Sequence, residues 1–374
     1  MAHALQFFPS RTISFYMAKV FVTRSFAILG ALVLVLMTLD LLGESGSILA
    51  YPGNGEAQLW FYVWLRVPQL IDRFLPFSVL LGTLIALSTM NHNSEIISMK
   101  AAGLSAHQIL APLIAASVVI AGLLFVFSDR VVAPSYATFA NWESVDYGPL
   151  PEGEASARNV WVRSGDDLIN ARLAYGRGAE TRLRGVEVFD RSGGTLEAIA
   201  SAQRARYTGE AWLLEDATRF DLERVAESTP RDMLVAEGVT PDQFTLANVE
   251  ARSLGFADLQ RAIAELRAAG RPTEQLEAGL WHKISGPLST ILMPLLGAVA
   301  GFGLARSGRL FVRAIIGMAL GFAYFVADNF ALAMGNIGVY PPLLAAWAPF
   351  FLFLLIGEAV LIRTKTGNKI EPVP

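Results

Sequence analysis

The chain contains no cysteine. Disulfides, thiol nucleophiles and cysteine metal ligands are therefore excluded. Histidine is nearly as scarce: His3, His92, His107 and His282 are too scattered to suggest a metal site. Charged residues make up 17% of the chain, against about 25% in an ordinary soluble domain. With 53% hydrophobic residues and a mean hydropathy of +0.44, the composition is that of a membrane protein. A net charge of −3 gives no support to nucleic-acid binding. No G-x-x-x-x-G-K-S/T run occurs, so P-loop nucleotide chemistry belongs to some other chain. Lysine is absent from residues 129–282, a stretch that holds 25 acids and 17 arginines.

That stretch divides the chain. Three apolar runs precede it and three follow, and a helix needs roughly 20 apolar residues to cross a hydrocarbon core. The spans are expected at about 20–42, 67–90, 109–127, 284–304, 314–334 and 343–362. The run over 25–42 exceeds the h-region of a signal peptide, about 7–15 residues, and predicts an uncleaved first helix. Charge sorts by side. The segments assigned to one face hold ten bases (Arg11, Lys19, Arg24, Lys100, Arg306, Arg309, Arg313, Arg363, Lys365, Lys369) against two acids, Glu95 and Glu371. A Lys/Arg excess in short loops marks the cytoplasmic side. Both termini are expected inside, with the acidic insert facing out.

The insert reads as β. Val160 and Val162 flank Trp161, Val186 and Val188 flank Glu187, and Phe220 and Leu222 alternate with Arg219, Asp221 and Glu223. With glycine turns at Ser192-Gly193-Gly194 and Thr208-Gly209, this period predicts an antiparallel sheet with one buried face. An open edge of such a sheet would invite a partner strand, and 159–163 and 218–224 are two candidate strands along which to look for one. Phe256, Leu259, Ile263 and Leu266 then follow helical spacing over about 256–269, stopped by Gly270 and Pro272. A second helix from Thr273 should run into the fourth span. Three segments result: 1–130 with three spans and a short helix near 93–104, the β-domain at 131–277, and 278–374 with three more spans.

The connection between spans two and three carries the most pointed motif. Ser94 can cap a short helix with Glu95 in its first turn, and Gly103 can end it. Ile96, Met99 and Lys100 fall at i, i+3 and i+4, giving an apolar face with a basic flank. Such a helix suits docking into a groove on a soluble partner; an interfacial loop helix is the plainer alternative. Asp40, near the outer end of the first span, and Asp328, inside the fifth, are costly in lipid unless they face protein or water; an interfacial place is the plainer alternative for Asp40, and structural hydrogen bonding for Asp328. Arg66 and Arg73 lie where anionic lipid phosphates would sit, and arginine binds phosphate through two parallel hydrogen bonds; headgroup snorkelling is the alternative. Gly297-x-x-x-Gly301 and Gly317-x-x-x-Gly321 are small-residue faces for close helix packing.

Ser94-Glu95-Ile96 followed by Met99-Lys100-Ala101-Ala102-Gly103-Leu104-Ser105 resembles the coupling helix of the lipopolysaccharide-export permeases, the LptF/LptG family. Leu75-Pro76-Phe77, Trp281-His282-Lys283, Arg306-Ser307-Gly308-Arg309, Gly321-Phe322, Asp328-Asn329-Phe330 and Gly338-Val339-Tyr340-Pro341-Pro342 extend the resemblance over nearly the whole chain. Trp281-His282-Lys283 and Asp328 make it LptG-like. The resemblance implies a six-helix transmembrane bundle with a periplasmic β-jellyroll inserted, in the inner membrane. It implies a non-catalytic permease subunit that lifts lipopolysaccharide from the membrane toward a periplasmic bridge protein. Its implied partners are an LptF-like paralogue, a cytoplasmic LptB-like ATPase dimer that binds the ATP and magnesium, and a single-span LptC-like protein. Ser94, Glu95, Ile96, Met99 and Lys100 would couple to the ATPase, with Glu95 as the carboxylate that meets its groove. Arg66, Arg73, Asp40, Asp328 and Lys283 are the candidate substrate contacts. The family's lysines at the outer end of span one have no counterpart in Leu41-Leu42-Gly43-Glu44.

Two other classes compete. A sensor or assembly scaffold with a periplasmic ligand-binding domain would need an output segment, and the short cytoplasmic loops hold none. An intramembrane hydrolase would need a Ser/His or paired-Asp arrangement at membrane depth, and none is legible.

Overall fold

A computed structural model describes residues 8–149, 155–176, 178–192, 195–245, 250–268, 271–301 and 310–366. The motif Arg306-Ser307-Gly308-Arg309, the turn glycines Gly193 and Gly194, and Gly270, Lys369 and Glu371 lie outside the described residues. The chain divides into two compact units, one of Met1–Tyr136 with Thr273–Pro374 and the other of Ala137–Pro272.

The first unit is helical. Its elements are α1 (Arg11–Ala50), α2 (Glu56–His92), α3 (Glu95–Ala101), α4 (Ala106–Phe127), α8 (Glu274–Gly301), α9 (Leu310–Asn336) and α10 (Pro342–Thr366). A π-helical turn, Ser128–Val132, continues α4 into α5 (Ala133–Glu143), which straddles the unit boundary. Five helical stretches among the described residues are long and apolar enough to cross a membrane. The expected fourth span lies in α8, which starts at Glu274 as anticipated and is described as far as Gly301. α2 and α8 each hold two prolines, Pro68 and Pro76 and then Pro287 and Pro294. Bundled helices tolerate these because neighbours re-satisfy the freed backbone groups.

Close approach, rather than the hydrophobic effect, binds helices whose outer surfaces face lipid. A Cβ on Gly82 of α2 would sit 2.7 Å from the Ser25 Cα of α1, so only glycine lets these backbones meet. Gly297 of α8 meets Thr83, and Gly321 of α9 meets Leu80, on the same stretch of α2. Gly297 and Gly321, one from each small-residue face read from the sequence, therefore serve packing around α2, with Leu80, Leu84, Leu87, Leu292 and Leu296 in the buried core.

The second unit is built on one antiparallel sheet of seven strands: β1 (Ala155–Ser164), β2 (Asp167–Tyr175), β3 (Arg182–Ser192), β4 (Thr195–Tyr207), β5 (Trp212–Asp221), β6 (Ala226–Glu227) and β7 (Arg231–Val235). The order is β1-β2-β3-β4-β5, with β6 and β7 both paired to β5. Val160, Val162, Val186 and Val188 are buried as their alternation predicts, and Trp161 between the first two is 53% exposed. Phe220 and Leu222 reverse the expectation. Both are exposed: past Asp216 the buried side of β5 passes to Ala217, which turns Phe220 outward, and β5 ends before Leu222. Among the described residues β1 is an edge strand, whereas β6 and β7 pair with the far side of β5, β6 at Phe220 and Asp221.

The alternation breaks along one line across four strands. Arg172-Leu173, Arg184-Gly185, Gln203-Arg204 and Glu215-Asp216 each separate two buried residues three positions apart: Ala171/Ala174, Leu183/Val186, Ala202/Ala205 and Leu214/Ala217. These dipeptides are in register, with Leu173 opposite Arg184, Arg184 opposite Arg204, and Arg204 opposite Glu215. Gly185 and Asp216 take left-handed backbone, φ +61° and +51°. A spacing of three where the strand period is two moves burial to the opposite face. The sheet is creased, and each half buries a different side. Trp212 anchors the second half, donating Nε1–H to the Val239 carbonyl at 2.9 Å and packing edge-on against Phe244 of α6 (Pro241–Thr245). Beyond it α7 (Phe256–Ala268) buries Leu259, Ala262, Ile263 and Leu266, the side that the helical spacing marked out.

Candidate functional site

α3 follows α2 after only Asn93 and Ser94. That short turn forces Ser94 into left-handed backbone at φ +60°, and its hydroxyl makes no cap. Sequence reasoning expected a serine cap. The tight reversal takes precedence, and Ser94 contributes its carbonyl instead, accepting from the Ser98 N–H at 3.0 Å. The other end forms as expected. Gly103, at φ +90°, donates its N–H to the Lys100 carbonyl at 3.0 Å, and Leu104 donates to Met99 at 3.1 Å. This is the Schellman arrangement that needs a residue without a Cβ penalty.

The faces of α3 differ from the sequence reading. Ile96 is 2% exposed and belongs to the bundle core, and Met99 packs against that core. They hold the helix down and are closed to an outside partner. The surface carries Ser94, Ile97 (47% exposed), Ser98, Lys100 and Ala101. The expected docking face is thus turned by one residue, about 100° around the helix.

Glu95 is held from two directions. The Tyr16 hydroxyl of α1 donates to its Oε2 at 3.2 Å and lies 3.3 Å from Oε1, and the Asn93 amide donates to Oε1 at 3.2 Å. Tyr16 had no signal in the sequence, because 79 positions separate it from Glu95. The carboxylate is half-buried, fixed to α1, and retains lone pairs for a further donor.

Of the candidate substrate contacts, Arg66, Asp40, Asp328 and Lys283 meet partners inside the chain. Arg66 of α2 grips Asp40 of α1 as a fork, Nε to Oδ2 at 2.8 Å and Nη2 to Oδ1 at 2.9 Å. Tyr62 donates to the same Asp40 Oδ2 at 2.8 Å, and Arg66 Nη1 donates to Gln69 at 3.1 Å. Side-chain exposures near one quarter mark a partly desolvated pair. Every nitrogen of Arg66 is engaged inside the chain, so its charge is accounted for without a lipid phosphate. Asp328 of α9 faces His282 of α8, Oδ2 to Nε2 at 3.0 Å. Lys283 has Asp129 and Asp72 as its electrostatic neighbours. Arg73 is exposed. Intramembrane charges persist when they pair within the protein, and these pairs tie α1 to α2 and α8 to α9. Among the described residues no group of His, Asp and Glu could hold a metal ion.

The comparisons with known proteins agree with this architecture. Residues 15–363 match the family described as the lipopolysaccharide export system permease LptF/LptG. The lipopolysaccharide export system permease protein LptG of Escherichia coli K12 is 23% identical over 310 residues, covering 81% of this chain and 84% of that protein. The LptG of Haemophilus influenzae is 24% identical over 360 residues, covering 91% of this chain and 97% of that protein. With the match spanning both helical segments and the β-unit between them, the chain belongs to the LptF/LptG family of lipopolysaccharide export permeases.

Proposed function

We propose that the chain is the LptG-like permease subunit of an ATP-driven exporter of lipopolysaccharide in the bacterial inner membrane. It pairs with an LptF-like paralogue and extracts the glycolipid from the bilayer. It delivers the lipid to a periplasmic bridge protein, and a single-span LptC-like chain attaches to the assembly. ATP and magnesium stay on the LptB-like ATPase dimer, and this chain performs no chemistry of its own. Six spans place both termini and α3 in the cytoplasm and the β-unit in the periplasm, in line with the charge asymmetry of the sequence. The free edge at β1 is the face suited to a partner sheet.

One observation carries the coupling role. A seven-residue helix is pinned to the bundle by Ile96 and Met99, presents Ile97 and Ser98 outward, and holds an acid that is bonded to α1. A load on such a helix passes into the bundle instead of bending a loop. Glu95 then receives a basic group from the ATPase groove. The test is Glu95→Ala and Glu95→Lys in the intact complex, reading ATPase co-purification and lipopolysaccharide release from the membrane. Both should fall while the permease remains folded. Normal assembly and export in both variants would remove Glu95 from the mechanism.

A further inference from the structure

At the crease and just beyond it, β3 and β4 set four arginines in a square. Arg182 lies directly opposite Arg206, and Arg184 directly opposite Arg204. Opposed residues share a face, as do residues two apart on one strand. The four side chains therefore stand together, with Leu183 and Ala205 buried on the other side. All four are exposed. Glu215 of β5 is the acid that meets them, 3.6 Å from Arg204 Nε and 3.5 Å from Arg206 Nε. Among the described residues one carboxylate meets four guanidinium groups, which leaves three positive charges on a unit that is otherwise acidic. Arg184 also stands over the Tyr175 ring, 5.4 Å from its centroid, and the Tyr175 hydroxyl is buried with no hydrogen-bond partner among the described residues.

Like charges directly opposite one another destabilise a sheet. Two such pairs side by side work against folding and call for an anion that neutralises them. We propose that this square is a binding site for phosphate groups on the saccharide of the transported glycolipid; the inference rests on the export reading above. The four side chains spring from backbone positions about 5 Å apart across the strands and about 7 Å apart along them, close enough for neighbouring forks to share the oxygens of a phosphate. Residues 129–282 hold 17 arginines and no lysine. Arginine presents a planar fork matched to phosphate, whereas lysine serves as a point charge. A diffuse membrane contact has no need of that geometry.

The test uses the full chain in nanodiscs of zwitterionic phosphatidylcholine. Its probes are lipopolysaccharide, the same lipopolysaccharide with its phosphates removed, and vesicles containing phosphatidylglycerol. The wild-type chain should prefer the phosphorylated form by about tenfold or more, the loss expected from one hydrogen bond to a charged group. The double variant R184Q/R204Q should abolish that preference and leave binding of the dephosphorylated form unchanged. The pair R184K/R204K should restore part of it. Full phosphate preference in the glutamine pair overturns the site and leaves the export reading intact. Displacement of the glycolipid by phosphatidylglycerol at equal phosphate makes the square a general membrane contact and also overturns it. A wild-type chain that binds neither form of lipopolysaccharide would sink the export reading itself.

Discussion

Asp40 and Arg66 lie 26 positions apart and meet through two hydrogen bonds. Sequence patterns could mark each as an expensive intramembrane charge, yet not that each is the other's partner. Glu95 and Tyr16 repeat the lesson. The acid was legible from its motif and the tyrosine was not, because long-range pairing leaves no periodic trace. Gly103 was legible because a single local constraint, the left-handed C-terminal turn, selects glycine. The Asp40–Arg66 fork can be separated from a substrate role by stability. Removing one partner strands a half-buried charge, so Asp40→Asn and Arg66→Gln should each destabilise the detergent-solubilised protein by about 1–3 kcal/mol. The double variant should lose less than the sum of the two, since contacting residues are not additive. Thermal melts of the three proteins provide the measurement. Strict additivity would show that the two side chains act separately.

At the scale of elements, long apolar runs declared themselves, and α1, α2, α4, α9 and α10 fall where hydropathy put them. The short helix was found with the wrong side outward: Ile96 and Met99 are core residues, and the surface residue is Ile97. Seven residues span under two turns, too few for sequence alone to fix which stripe faces in. The two isoleucines make an internally controlled pair. Ile96→Asp puts a carboxylate into the bundle core and should yield unfolded or degraded protein. Ile97→Asp should fold normally and lose ATPase co-purification, read by size-exclusion profile and pull-down. Equal folding of the two would reverse the assigned faces. In the β-unit, strand alternation located β1 and β3, but the crease stayed hidden because buried residues three apart look like noise in a period of two. The arginine square yields an unusual stability expectation. Arg182 has no acid within ion-pair distance among the described residues and faces Arg206, so Arg182→Gln should stabilise this unit by up to about 1 kcal/mol. A lower melting temperature for Arg182→Gln than for wild type would count against opposed repulsion.

For the whole molecule the question is how often the chain crosses the membrane, and the absence of cysteine makes it directly measurable. Single cysteines introduced into the natural sequence report their own side without background labelling. Ser98 on α3, Ser201 on the sheet, and Val339 between α9 and α10 are all exposed. A membrane-impermeant maleimide applied to intact spheroplasts should label Ser201→Cys and Val339→Cys, and should reach Ser98→Cys only after permeabilisation. The comparison of Ser201 with Val339 isolates α8. Two crossings separate them if α8 spans, which puts both on one side. One crossing separates them if α8 lies along the bundle without spanning, which puts them on opposite sides. α8 carries His282 and Lys283 near its start and two prolines along its length, features that weaken a hydropathy signal while leaving a bundled helix intact. Its pairing with Asp328 through His282 satisfies the polar group at depth. Ten bases against two acids on the segments assigned to the cytoplasmic side set the expected direction of the outcome. Labelling of Ser98→Cys before permeabilisation would invert the whole arrangement, and unlike labelling of Ser201→Cys and Val339→Cys would reduce the crossings to five.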